Sequence, residues 1–258
     1  MTKTALITGA TGGLGNQFVK LFAAEGTNLV LVGRNEAKLQ ALKRDTEATY
    51  HVSVATITAD FSDVMAAEKI FEQVQTLHIE IDYLVNNAGL GGQGAFIERT
   101  LAQDVAMMNV NMMVPTKLMK LFVPEFVKRG TGKVLNVSSS AALIPGPLQA
   151  EYYATKAYVT SLSNAIAYEV KDTGVSITTL MPGAIQTGFA QAGGLTQTKM
   201  FAHGADPADV AKAGYQAMQA GKLNAFAGLS AVQRPFVGLM PMMPKLMIMG
   251  FVASQQSN

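Results

Sequence analysis

The 258-residue chain contains no cysteine, and its only histidines, His51, His78 and His203, lie far apart. The lack of thiols excludes disulfides, a thiolate nucleophile and a thiolate metal site. The scattered histidines argue against zinc, so no metal is expected. Charge is scarce as well: Asp, Glu, Lys and Arg make up 15% of residues, and the formal net charge of +2 is not gathered into a basic cluster. Nucleic acid is therefore a poor partner. The first residues, Met1 to Ile7, carry an apolar run too short for a signal peptide and pass directly into a glycine loop, so a cytoplasmic location is expected. What is abundant is apolar surface, at 49% of residues, together with 24 glycines. That composition suits one compact enzyme domain over residues 1–258, with enough length to bury a core.

Hydrophobic patterning gives the order of elements. Thr4-Ala-Leu-Ile-Thr8 reads as a buried strand, followed at once by Gly9-Ala-Thr-Gly-Gly-Leu-Gly15 and a helix with Phe18, Val19 and Phe22 on one face. Gly26 is placed to end that helix. In a strand, glycine turn and helix of this kind, Gly9, Gly13 and Gly15 let the backbone approach a pyrophosphate at the helix N-terminus, where unpaired N–H groups and the dipole favour negative charge. A second strand, Asn28–Val32, delivers Gly33-Arg34-Asn35 to the place where a dinucleotide fold meets the adenosine ribose, with a helix from 36 to 44 beyond it. No carboxylate is present there to accept from a 2′-hydroxyl. Arg34 instead suits the 2′-phosphate of NADP.

Strands at 52–58, 81–85, 133–137 and 176–180 alternate with helices at 63–76, 98–129 and 151–171, the third of these helices ending before Gly174. The alternation implies right-handed crossovers and a doubly wound parallel sheet, an α/β fold of Rossmann type with helices on both faces. Pro115 is expected to kink the helix 98–129, and Gly130 to stop it. At the carboxyl end of the strand 133–137 stands Ser139, followed thirteen positions later by Tyr152 and one helical turn on by Lys156. On a helix that spacing puts phenol and ammonium on one face. A free tyrosine titrates near ~10, so a neighbouring cation is the natural means of lowering its pKa. An upstream hydroxyl and the phenol together form a hydrogen-bond donor and a general acid aimed at one oxygen.

Taken in order, Thr8-Gly9-x-x-x-Gly13-x-Gly15, Asp60, Asn86-Asn87-Ala88-Gly89, Asn111 with Pro115, Ser139, Tyr152-x-x-x-Lys156 and Pro182-Gly183-x-x-x-Thr187 resemble the short-chain dehydrogenase/reductase family over roughly residues 4–190. The resemblance implies hydride transfer between a nicotinamide and the carbon of an alcohol or carbonyl. Ser139 would polarise the oxygen, and Tyr152 would exchange its proton. Lys156 would hold the nicotinamide ribose and lower the Tyr152 pKa, and Asn111 would hold a water linked to Lys156. For the cofactor, the resemblance implies Gly9, Thr11, Gly13, Leu14 and Gly15 at the diphosphate, and Asp60 with Phe61 at adenine. Asn86, Asn87, Ala88 and Gly89 would lie under the adenosine ribose, and Pro182, Gly183, Ile185 and Thr187 near the carboxamide. NADP(H) is the preferred cofactor and NAD(H) the alternative. Family spacing selects Tyr152 over Tyr153 and Asn111 over Asn109, and strand alternation turns Ser138 and Ser140 away from Ser139. Relatives pair through helices matching 98–129 and 151–171, which implies a homodimer or homotetramer.

Beyond the motifs, the resemblance implies that residues 188–205 cover the substrate, with Phe189, Met200 and Phe201 as a candidate apolar face opposite Leu143 and Pro145, ahead of a helix begun by Asp206 and Pro207. Nothing there would grip a carboxylate or phosphate, so a small apolar ketone, aldehyde or alcohol is the expected substrate. From Pro235 to Ala253 the only charge is Lys245, and Met240, Met242, Met243, Met247 and Met249 crowd together. This methionine-rich segment, 235–258, suits packing or a subunit contact first, a substrate lid second and a membrane surface last, since Pro241, Pro244 and Lys245 oppose a spanning helix. The competing function is a dinucleotide-binding sensor without turnover, because fold alone does not give function. The Ser139, Tyr152 and Lys156 set argues against it, since a sensor has no need of an acid.

Overall fold

A computed structural model describes residues 2–196, 198, 204–230 and 233–256. Its strands are β1 (Thr4–Thr8), β2 (Asn28–Gly33), β3 (Val54–Thr58), β4 (Tyr83–Asn86), β5 (Gly132–Val137), β6 (Val175–Pro182) and β7 (Asn224–Ala227). They form one parallel sheet in the order β3-β2-β1-β4-β5-β6-β7. The strand order reverses between β1 and β4. In such a sheet that reversal opens a crevice at the carboxyl ends, which is where ligands bind.

The period of two along each strand divides the apolar side chains between two layers. Ala5 and Ile7 of β1, Leu29 and Leu31 of β2 and Val85 of β4 face α1 (Gly13–Ala24), α2 (Glu36–Tyr50) and α8 (Pro207–Gln219). Leu6, Val30, Val32 and Leu84 face α3 (Ala66–Thr76) and α5 (Val114–Arg129), with α6 (Ala150–Glu169) alongside. Phe18 and Phe22, one turn apart on α1, are fully buried, and Phe22 meets Tyr83 and Tyr215 at ring centroids of 5.3 and 5.0 Å. Truncating either phenylalanine to alanine is expected to cost about 3–5 kcal/mol, read as a lowered denaturation midpoint.

The expected helix 98–129 takes a different form. Thr100 caps α4 (Leu101–Met108) in a reciprocal box with Gln103, and the chain then passes through a π-helical turn, Asn109–Met113, into α5. Pro115 does not break the helix. It has no N–H to offer the carbonyl four residues back, that of Asn111, and a slip to i→i+5 pairing just before it, with Val114 N–H bonding Asn109 O, absorbs the conflict. The second helix is longer than expected, running to Tyr50 before His51 ends it in a left-handed conformation. Gly130 stops α5 in the same conformation, and Asp206 caps α8 with Pro207 in its first turn, as the sequence indicates.

After α7 (Gly188–Ala192), Met200 and Phe201, expected to give the following segment an apolar face, lie outside the described residues. The methionine-rich segment forms α9 (Gln233–Leu239), a 3₁₀ turn and α10 (Lys245–Gln256). Among the described residues no helix is long and apolar enough to cross a membrane.

Candidate active site

The glycine turn and the end of β4 are tied together at the strand-order reversal. Thr8 Oγ1 donates to Val85 O at 3.3 Å and accepts from the N–H groups of Asn87 and Ala88 at 3.0 and 3.1 Å. The Asn87 amide in turn donates to the carbonyls of Thr8 and Gly9 at 2.9 and 3.3 Å. These bonds press the turn close. A β-carbon built on Gly15 would lie 2.2 Å from Gly9 O, and Gly9 itself has φ +64°. Gly15→Ala is therefore expected to force the turn apart and destabilise the fold by about 1–3 kcal/mol. Loss of NADPH affinity along with a lowered melting temperature would check this.

The start of α1 is open to a ligand. Its N-cap, Gly12, has no side chain to satisfy the first N–H groups, and the first turn contains no acidic residue. Both features fit a diphosphate at the helix N-terminus. Across the opening, a β-carbon on Gly13 would meet Thr187 Cγ2 at 2.8 Å, so the segment after β6 closes the other side.

A cleft of about 950 Å³ runs from this turn along the carboxyl edge of the sheet. It is lined at one end by Arg34, Lys38, Asp60 and Phe61, and centrally by Gly9, Thr11, Gly13, Leu14, Gly15, Asn87, Ala88 and Gly89. Ser139, Tyr152, Lys156, Pro182, Gly183, Ile185 and Thr187 complete it toward the other end. Asp60 accepts from the Ser62 N–H at 3.0 Å. That bond, the Ser62 hydroxyl and, more weakly, Arg34 hold its carboxyl below the usual range. No sequence motif points to Lys38. It lies one turn beyond Arg34, and its N–H bonds the capping Asn35 side chain at 2.9 Å, which starts α2 with two cations on the cleft.

Ser139 lies two residues beyond β5 and caps a 3₁₀ turn, accepting from Ala141 N–H at 3.1 Å, while its hydroxyl reaches Pro182 O at a long 3.4 Å. Tyr152 enters from the first turn of α6 and directs its phenol to the Ser139 side of the cleft. Burial pushes the phenol up to about 12, with the nearby Ser139 hydroxyl opposing that rise. Lys156 donates to Val137 O at 2.9 Å, and its Nζ stands 5.7 Å from the Tyr152 ring centroid. Desolvation brings this ammonium down to about 8. Lys156 is not among the groups that shift the phenol here. The ammonium is bonded to a carbonyl and sits over the ring face, and burial governs the hydroxyl.

Two expected residues do not reach the cleft. Asn86 is buried in the sheet, where its amide donates to Asn136 Oδ1 at 2.8 Å. Strand alternation turns it inward and leaves the ligand side to its neighbour Asn87. Asn111 is buried in the π-helical turn, accepting from Leu90 N–H at 2.8 Å and donating to Leu90 O and Thr155 Oγ1 at 2.9 and 3.0 Å. It braces the loop after β4 close to Lys156, since a β-carbon on Gly89 would be 3.5 Å from both Asn111 Oδ1 and Lys156 Nζ. Ser138 turns into α6, bonding Lys156 O at 3.0 Å and Thr160 Oγ1 at 2.7 Å, whereas Ser140 opens the 3₁₀ turn and lines the cleft beside Ser139.

The apolar end differs in detail from the sequence reading. Phe189 lines it as expected, 5.7 Å from the Tyr152 ring. Leu143 and Pro145 do not line it. The 3₁₀ turn 140–143 is followed by an extended Ile144, and that residue faces the cleft. Val237, Met240, Phe251 and Val252 from the methionine-rich segment also line this end. Their signal in the sequence was an apolar, nearly uncharged run with no indication of which surface it would cover.

The arrangement defines the class. Residues 3–197 match the family model described as short chain dehydrogenase, and the chain belongs to that family. It is 32% identical over 199 residues to hydroxysteroid dehydrogenase-like protein 1 of Gallus gallus, covering 76% of this chain and 60% of that protein. It is 34% identical over 182 residues to the 7beta-hydroxysteroid dehydrogenase of Collinsella aerofaciens, covering 70% and 68%. Among solved structures, a short-chain dehydrogenase from Sphingobium yanoikuyae in complex with NADPH aligns with a TM-score of 0.82 at 26% identity, covering 94% of this chain and 96% of that one. The match with the first curated relatives spans about 60% of their length.

Proposed function

We propose that the protein is an NADP(H)-dependent oxidoreductase that interconverts an apolar ketone or aldehyde with its alcohol. The observation that carries this reading is the convergence of Ser139, Tyr152 and Lys156 on the cleft that holds the uncapped α1 N-terminus at its centre and Arg34 at its other end. When bound, the nicotinamide supplies or accepts the hydride. The chain's own residues handle the oxygen. Ser139 gives up its long bond to Pro182 O and donates to the substrate oxygen, while Tyr152, neutral at physiological pH, donates its proton as the carbonyl becomes an alcohol. In the reverse direction the phenol must take that proton back. Burial disfavours a lone phenolate, which makes the Lys156 charge the natural counterweight. Lys156 would also bond the ribose hydroxyls, the first N–H groups of α1 would hold the diphosphate, and Thr187 would lie near the carboxamide.

NADP(H) over NAD(H) is supported by the paired Arg34 and Lys38 and by the absence of a carboxylate from Gly33-Arg34-Asn35 at the end of β2. An apolar substrate is supported by the far end of the cleft, where Ile144, Phe189, Val237, Met240, Phe251 and Val252 supply no charge. Relatives named for hydroxysteroids point the same way. Consumption of NADPH against NADH with a panel of aliphatic, aromatic and steroid-like ketones tests the reading. Ketone-dependent NADPH oxidation is expected, and silence across the panel would favour the sensor.

A pH dependence follows from Lys156. Its ammonium is retained below about 8 and lost above it, whereas Tyr152 stays protonated to about 12. Reductive kcat/KM is therefore expected to be level through neutral pH and to fall as pH rises through about 8. A profile that rises there instead would show that Lys156 does not act as a cation in reduction.

A further inference from the structure

The helix α10 turns three residues inward at four-residue spacing: Ile248, Val252 and Gln256. The first two extend the core. Val252 packs with Ala141 and Tyr153, with Ile144 and Tyr152 alongside. The stripe then ends in an amide that is 0% exposed. A glutamine so deeply buried is costly unless its polar groups are bonded, and this one is bonded on several sides. Its Nε2 donates to Tyr153 Oη at 3.3 Å, its Oε1 accepts from the Gln149 amide, and its main-chain carbonyl accepts from Gln93 Nε2 at 2.5 Å.

These three partners belong to three parts of the site. Gln93 sits in the loop after β4, and its own N–H bonds Gly193 O behind α7 at 3.1 Å. Gln149 is the N-cap residue of α6, and Tyr153 adjoins Tyr152. Phe251, beside Val252, stacks edge-on to Phe236 at 5.9 Å and so couples α10 to α9. Apolar contacts alone would tolerate sliding of α10 over the cleft. A set of directional bonds selects one position.

Resting on the reductase reading above, we propose that Gln256 is a positioning residue that latches α10 over the substrate end of the cleft, and that the latched helix limits substrate size through Phe251 and Val252. Breaking the latch would free that wall without touching the groups that handle the cofactor or the proton.

The test compares the wild-type protein with Gln256→Ala and with Tyr153→Phe, which removes one latch bond and leaves α10 unaltered. Hydrogen exchange of peptides spanning 245–256 is expected to accelerate about tenfold in Gln256→Ala, the size of one to two net hydrogen bonds. A smaller change in the same direction is expected in Tyr153→Phe, and exchange in β5 is expected to stay constant. In kinetics, KM for a compact aliphatic ketone is expected to rise while that for a bulky polycyclic ketone holds or falls, shifting the ratio of the two kcat/KM values at least fivefold. Unchanged exchange in 245–256 would overturn the latch. So would an equal loss on both ketones accompanied by faster exchange in β5, the mark of a residue that only supports the fold. A wild-type protein that turns over no ketone would sink the reductase reading, while the exchange measurement would still report on the latch by itself.

Discussion

Tyr152→Phe is expected to lower the rate of ketone reduction by about a thousandfold while NADPH affinity stays within a few-fold of wild type. The magnitude is that of removing a positioned general acid. The selectivity follows from placement: the ring remains to pack against Phe189 and beneath Lys156, so the substitution removes one hydroxyl from a site that is otherwise intact. Ser139 would still donate to the carbonyl oxygen, leaving a polarised substrate with nothing to protonate it. Kinetics under saturating ketone and a fluorescence titration with NADPH separate the two effects. Tyr153→Phe provides the contrast, since its hydroxyl is turned to Gln256 and not to Ser139. A loss in Tyr153→Phe with full activity in Tyr152→Phe would show that the neighbouring phenol is the acid.

The second large effect is expected at the opposite end of the cleft. Removing both Arg34 and Lys38 should raise KM for NADPH by about a hundredfold, with KM for NADH changed less than about threefold. Charge-assisted bonds to a phosphate are each worth about 1.5–3 kcal/mol, and partial solvation of Arg34 and Lys38 reduces what the pair contributes. Rising salt should weaken NADPH binding and leave NADH binding nearly level. Equal losses for both cofactors would mean that the two cations support α2 and do not read the 2′ position.

Much of this architecture could be read from residue order because its causes are local. The strand, glycine turn and helix at 4–24 are dictated by a buried apolar run, by Gly9 with positive φ and by Gly15 against Gly9 O. Ser139, Tyr152 and Lys156 were found because a strand end and a helical turn fix their relative placement. What escaped the sequence depends on contacts between distant segments. The π-helical turn that seats Asn111 reflects Pro115 together with the demands of Leu90, 21 residues away. Asn86 and Asn87 differ only in which side of β4 they leave from. The raised pKa of Tyr152 comes from burial, which adjacency in sequence does not reveal. Gln256 meets Tyr153 across 103 residues, and no periodicity in the methionine-rich segment announces that contact.

The most direct test is a single turnover of NADPH deuterated at the transferring position of nicotinamide C4, in the presence of an apolar ketone. Deuterium on the carbinol carbon, one equivalent for each NADPH consumed, is the expected result. NADPH that binds the cleft and remains unoxidised with every ketone offered would contradict it.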